Sequence, residues 1–460
     1  MSSIGDMTAG SPTRSILRFS LPMIAGYIMQ QTYTVADAVI VGQWIGVGAL
    51  AAVGASWAVM FLIMGFCNGA CAGFAIPVAQ AFGAKDFVLM RRYAAGALRL
   101  TAVIALLFTV VTTLLCTPIL RAVNTPADIF ADARVFLLFQ LCSIPCIMAY
   151  NILASLLRAL GNSRHPFYFL VGASLLNILL SAAMVGILHM GVAGVGLATM
   201  LSQAAAAVAC AAYIRRHTPL LLPHGDEWQP RHDMTLHLLG NGVPMGLQFS
   251  ITGIGIVMLQ TANNALGTVC VAAFTASMRV KYLFTCVFEN IGAAMATYCG
   301  QNIGARRLHR IALGLRSALG LSLAYFLFAF VLIEAEADTM MLMFVDSSET
   351  QIIGQAAMLM RIACCFYPAL GVLTVLRYSI QGLGFSRLAV MSGVMEMVAR
   401  TGVSLWMVPA MGFTGVCLGD PVAWLAADLF LIPAIILLYR QLRRQMSGDG
   451  LIEQPKTVCQ

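Results

Sequence analysis

Residues 45–56 read I-G-V-G-A-L-A-A-V-G-A-S, and residues 266–277 read L-G-T-V-C-V-A-A-F-T-A-S. Gly46, Ala51, Ala52, Ala55 and Ser56 recur 221 positions later as Gly267, Ala272, Ala273, Ala276 and Ser277. The same shift carries Gln80, Gly83 and Ala84 onto Gln301, Gly304 and Ala305, and Gly191, Gly194, Val195 and Leu197 onto Gly412, Gly415, Val416 and Leu418. Shifts of 222 or 223 relate Pro22 to Pro244, Pro145 to Pro368, and R-A-L-G-N-S-R at 158–164 to Q-G-L-G-F-S-R at 381–387. The chain therefore holds two copies of one fold. In a membrane protein, paired repeats point to a transporter whose substrate is handled where the copies meet.

Composition supplies the membrane. The chain is 60% hydrophobic and 10% charged, with a mean hydropathy of +0.86, outside the range of soluble globular proteins. Apolar runs of about 20 residues read as spanning helices. Twelve are present, at 16–42, 50–80, 94–116, 132–157, 164–188, 192–214, 236–262, 270–300, 311–334, 352–378, 386–409 and 414–439. The first is too long for a signal peptide and holds part of the repeat, so it is read as retained. Basic residues occupy alternate loops, among them Arg14, Arg18, Lys85, Arg91, Arg92, Arg215, Arg216, Arg306, Arg307, Arg377, Arg387, Arg443 and Arg444. The loop near 334–349 is acidic. By the positive-inside rule both termini are cytoplasmic. An even number of spans per copy makes the repeats parallel. The expected layout is an N-terminal lobe over 1–214, a cytoplasmic linker over 215–235, a C-terminal lobe over 236–440 and a cytoplasmic tail over 441–460.

Several chemistries find no support. The +8 net charge is spread along the chain and does not form a nucleic-acid patch. No phosphate-binding G-x-x-x-x-G-K-[ST] loop, nucleophile elbow, zinc-protease motif or dinucleotide loop is present, so the chain reads as a non-enzyme without a cofactor. The 13 cysteines include no C-x-x-C and read as reduced, small apolar residues. Uphill work must then come from an ion gradient or the membrane potential.

A charge at mid-bilayer costs about 2.5–3.5 kcal/mol, so each one asks for a reason. Asp37 lies in the first span with Gln30, Tyr33 and Thr34 near it. Positions 30, 33 and 37 share one helical face, and an acid, a phenol and an amide there suit a proton, a sodium ion or an organic cation. The repeat puts Met258 where Asp37 would recur, so the acid belongs to the first copy alone. Asn151, Ser174, Asn177, Ser181, Ser202 and Gln203 add polar groups from the fourth to sixth spans; each alone is more often helix-packing glue. In the second copy Glu396 and Arg400 stand at i and i+4, able to neutralise each other or to offer Glu396 to a cation. Glu289 has no obvious local partner, and spacing leaves open what Asp420 and Asp428 pair with.

Together these segments resemble the multidrug and toxic compound extrusion (MATE) family. The carriers are P-M-I-A-G-Y-I-M-Q-Q at 22–31, D-A-V-I-V-G-Q-W-I-G-V-G-A-L-A-A-V-G at 37–54, V-A-Q-A-F-G-A-K-D at 78–86, A-L-G-T-V-C-V-A-A-F at 265–274, the G-Q-N-I-G-A run at 300–305 and G-F-T-G-V-C-L-G-D-P-V-A-W at 412–424. The likeness spans about 15–440. It implies an all-α membrane protein with two six-helix bundles forming a V-shaped cleft, exporting organic, cationic and amphipathic compounds in exchange for H⁺ or Na⁺. Asp37, Tyr33 and Asn177 match functional positions of the family, while Ser181 stands where many members have a second Asp. The implied setting is the bacterial inner membrane, with a small organic substrate and lipids as partners, no nucleic acid, a monomeric chain, and no bound metal beyond Na⁺ at Asp37. The rival reading is a flippase for lipid or lipid-linked oligosaccharide, which shares the two-lobe architecture but is expected to line its cleft with several Arg or Lys.

Overall fold

The computed structural model describes residues 5–122 and 125–446. The first half holds α1 (Pro12–Ile40), α2 (Val47–Ala55), α3 (Trp57–Gly83), α4 (Phe87–Leu114), α5 (Cys116–Ala122), α6 (Phe130–Cys142), α7 (Ile144–Ala159), α8 (Arg164–Ala182) and α9 (Val192–His217). The second holds α10 (His232–Asn264), α11 (Thr268–Gly304), α12 (Leu308–Met341), α13 (Thr350–Cys365), α14 (Tyr367–Gly382), α15 (Ser386–Gly402), α16 (Val408–Met411) and α17 (Phe413–Met446). Among the described residues, ten helical segments are long and apolar enough to cross a membrane, and α13 with α14, bent by 55°, makes an eleventh. With its 29 residues, α1 has the length; Gln30, Gln31 and Asp37 dilute its apolar character. Including it, the count reaches the expected twelve.

The breaks repeat as the sequence does. Ser143 separates α6 from α7, and Phe366 separates α13 from α14. Pro145 and Pro368 follow in the first turn of the next helix. A proline there loses no hydrogen bond but blocks continuation from the helix before it. Single π-helical turns follow α8 and α15, at Ala183–Ile187 and Val403–Met407. Gly191 and Gly412 both have φ 60°, with ψ −145° and −135°, a conformation open essentially to glycine. Even the left-handed residue Lys85 (φ 60°) returns as Arg306 (φ 55°).

One expected span departs from the pattern. The run at 50–80 is divided between α2 and α3, whereas its second-copy counterpart α11 is continuous. Gly48 and Gly54 lie in α2 where α11 has Val269 and Thr275, and each glycine costs a helix interior roughly 1 kcal/mol against alanine.

The chain forms two compact units, and their borders differ from the expected division at 214 and 236. The first comprises Gly5–Asp6 with Leu21–Gly246; the second comprises Met7–Ser20 with the chain from Leu247 onward. The opening turns of α1 thus belong to the second unit, and those of α10 to the first. In the first unit the linker is docked, not loose. Arg91 donates to both carboxylate oxygens of Glu227 at 2.7 and 2.7 Å, the His224 N–H donates to Glu227 at 2.8 Å, and Arg99 donates to the Trp228 carbonyl. In the second unit Met7 donates to Gln301 Oε1 at 2.9 Å, and Arg307 donates to the Thr8 carbonyl at 2.6 Å. Of the expected tail 441–460, α17 covers the part up to Met446; the rest lies outside the described residues.

Candidate functional site

In the first unit, α1, α8 and α9 bring polar side chains together around Asp37. The Asn177 amide, oriented by its neighbours, donates to both Asp37 carboxylate oxygens at 3.2 and 3.1 Å and accepts from the Thr199 N–H at 3.3 Å. Asn177 and Ser181 are buried at 1% and 0% exposure. The Ser181 hydroxyl lies within electrostatic reach of Asp37, yet meets no partner at hydrogen-bond geometry. Tyr33 lies within electrostatic reach of the Gln30 side chain and of Asp37. The result is a carboxylate held by one amide, with a phenol nearby and a serine whose oxygen is unclaimed.

The other expected residues divide. Gln203 is buried one turn beyond Thr199 on α9. Asn151 donates to Asn68 Oδ1 at 2.6 Å, tying α7 to α3, so its amide nitrogen is already engaged away from Asp37. Thr34 is exposed and donates back to the Gln30 carbonyl at 3.0 Å. Ser174 and Ser202 likewise bond carbonyls of their own helices. Thr199 was not singled out from sequence. Its signal lay in the repeat, which maps it onto Asp420 of the second copy.

The second unit holds a chain of ion pairs. Arg377 donates to Glu289 at 3.1 Å and to Glu396 at 3.0 Å. Glu396 also accepts from Arg400 at 3.2 Å, and Arg400 donates to Asp420 at 2.9 Å. Lys281 closes the chain on the other Asp420 oxygen. Four helices contribute: α11, α14, α15 and α17. Glu396 and Arg400 therefore do pair, as their spacing suggests, but within a longer alternation. One expectation is corrected. Glu289, which has no local partner in sequence, meets Arg377 from a helix 88 residues away in the chain, and Tyr378 donates to it as well at 3.1 Å. Arg377 is not a loop cation but lies inside α14 at 3% exposure; proximity to the helix end hid its burial, and two carboxylates make that burial tolerable.

Elsewhere, Arg361 pairs with Asp338 at 2.5 Å and with Glu334 at 3.9 Å. Glu334, Cys364 and Cys365 place their ligand atoms within 4.8 Å of one another, but the Arg361 guanidinium beside Glu334 opposes a cation there. All twelve cysteines among the described residues are free thiols, most of them buried.

Comparison with known proteins follows this duplication. The MatE family profile matches twice, over residues 22–183 and 244–406. The chain is 27% identical over 306 residues to the probable multidrug resistance protein YpnP of Bacillus subtilis, covering 66% of this chain and 68% of that protein. It is 24% identical over 456 residues to the probable multidrug resistance protein NorM of Chromobacterium violaceum, covering 94% and 93%. Among solved structures, a multidrug resistance MATE family transporter of the MOP superfamily in an outward-facing conformation superposes with a TM-score of 0.90 at 21% identity, covering 96% of this chain and 99% of that one. With one profile matching both of its halves, the chain belongs to the MatE family, the multidrug and toxic compound extrusion transporters.

Proposed function

We propose that this protein is a secondary active exporter of organic, cationic and amphipathic compounds, driven by inward flow of H⁺ or Na⁺ that binds at Asp37. The observation that carries the reading is the Asp37 environment. The acid is held by Asn177, flanked by Tyr33 and Ser181, and no basic side chain among the described residues pairs with it. It can therefore take a proton, or offer its oxygens with that of Ser181 to a small monovalent ion. An organic cation would compete for the same negative charge, and that competition is what an exchanger needs. The multidrug resistance names of YpnP and NorM support this substrate class.

The flippase reading is less well supported. An anionic lipid-linked head group calls for unengaged cations, whereas Lys281, Arg377 and Arg400 are each committed to carboxylates. The setting proposed is the bacterial inner membrane, with a monomeric chain and both termini cytoplasmic. The test is efflux of a fluorescent organic cation from proteoliposomes, with pH and Na⁺ gradients imposed separately. Efflux driven by either gradient supports the exchanger; efflux indifferent to both overturns it.

A further inference from the structure

The ion-pair chain of the second unit leaves one acid over. Glu289, Glu396 and Asp420 supply three negative charges, and Lys281, Arg377 and Arg400 supply three positive ones. Asp428 lies on α17, 6% exposed, close enough to Glu396 and Arg377 to feel both charges. Its Oδ1 is buried with no hydrogen-bond partner, and no basic group among the described residues forms an ion pair with it. Four carboxylates thus face three cations.

Glu289 is partly solvated, but Asp428 is buried and unpaired, and a buried carboxylate without a counter-ion is far more costly than a balanced pair. Each of the three cations already serves at least one other carboxylate, so none is free to offset a fourth. A bound alkali ion would sit against the Arg377 guanidinium, which repels it. A proton balances the count without needing further ligands. We propose that Asp428 is a proton-binding site of the C-terminal unit, separate from Asp37, and that the seven-group cluster exchanges one proton per molecule.

The same geometry indicates what proton loss does. Arg377 Nε is buried without an acceptor, while both Nη atoms are engaged with Glu289 and Glu396. A negative Asp428 would draw the guanidinium toward α17. Of the two acids on Arg377 only Glu289 reaches solvent, with its side chain 38% exposed against 2% for Glu396. Glu289 is therefore the member released toward water. The groups that answer Asp428 are Glu396 from α15 and Arg377 from α14; Arg400, Asp420 and Lys281 connect to Glu396 through the ion-pair chain, and the Tyr378 ring lies 5.4 Å from the Arg377 guanidinium.

This inference goes beyond the Asp37 reading and does not depend on it. The test is infrared difference spectroscopy of the reconstituted protein between mildly acidic and mildly alkaline buffer, following the C=O stretch of protonated carboxyl groups and its shift in D₂O. With Asp37→Asn, one protonated-carboxyl band should persist in acidic buffer; with Asp37→Asn and Asp428→Asn together, it should vanish. Lys281→Met removes one cation and should raise the band by one further carboxyl. Saturating Na⁺ at fixed pH should leave the Asp428 band in place. No residual band in Asp37→Asn overturns the proposal even if no Asp428 variant folds. So does an unchanged band in Lys281→Met, or its displacement by Na⁺. Loss of efflux in Asp37→Asn with the second band intact would separate the two sites.

Discussion

Asp37 owes its position to one amide. Asn177 donates to both of its oxygens, and an Asn at 37 keeps the size while losing the charge. Asp37→Asn is therefore expected to fold and express near normally yet show no gradient-driven efflux in proteoliposomes; transport at the parent rate would remove Asp37 from the coupling step. Glu396 and Arg400 make the opposite case, because each is shared by two partners. Glu396→Gln alone takes from Arg377 and Arg400 the buried carboxylate they share, and Arg400→Gln alone takes from Glu396 and Asp420 their shared guanidinium, at a cost of about 3–5 kcal/mol. Changing both leaves Arg377 with Glu289 and Lys281 with Asp420, two neutral pairs. The double variant should melt above either single one. A double variant no more stable than the worse single would show that these side chains do not act as one electrostatic unit. The stripe at 30, 33 and 37 was legible in sequence because helical periodicity fixes it. The partners of Glu289 were not, because they arrive from helices nearly a hundred residues away, and no local pattern encodes which long-range cation a buried acid meets.

At the level of the element, packing turns on backbone approach. A Cβ at Gly73 would lie 2.6 Å from the Gly242 Cα and 2.7 Å from the Asn241 carbonyl oxygen, so α3 and the first turns of α10 touch backbone to backbone, as small residues permit between membrane helices. Gly73→Ala should lower stability by roughly 1–3 kcal/mol through overpacking. Gly172→Ala on α8, with nothing within 4 Å, should leave the melting temperature unchanged or higher; equal behaviour of the two would refute the close contact. The linker offers a pH-dependent counterpart. Hydrogen bonding from Arg91 holds the Glu227 carboxyl down at about 2, against an ordinary 4.5. A depressed carboxyl contributes stability that is full above its unfolded value and lost as pH falls toward its folded one. Docking of 224–228 onto α4 should therefore loosen progressively below about pH 4.5, seen as faster amide exchange in that segment, and Glu227→Gln should loosen it at neutral pH. Sequence showed where the spans lie and that Pro145 and Pro368 correspond. The divided α2–α3 and the structured linker escaped it: hydropathy windows do not register two glycines, and polar composition alone does not reveal a bidentate ion pair.

For the whole molecule, the repeat and the loop charges carried most of the architecture. From twelve spans with basic residues in alternate loops we propose that both termini and the linker share one side of the membrane. In a cysteine-free background, an impermeant thiol reagent added from outside should modify a cysteine at Glu336 and spare one at His224. The reverse pattern would overturn this topology. The borders of the compact units were less legible, because α1 and α10 each continue without a break from one unit into the other. Composition cannot mark a boundary that falls inside a helix.

The ion-pair chain also bears on how the protein is made. Its members emerge from the ribosome over a span of 139 residues, with Lys281 among the first and Asp420 the last of the six. When α11 enters the bilayer, Lys281 and Glu289 have no counter-ions, and each carries an insertion cost of about 2.5–3.5 kcal/mol. Arg377, Glu396 and Arg400 relieve this in turn, but Lys281 waits for α17. The α11 helix is apolar enough to span by itself, but its lysine stays unpaired until the final span arrives. A chain that stops short of α17 would leave that lysine stranded, marking the unfinished protein for membrane quality control.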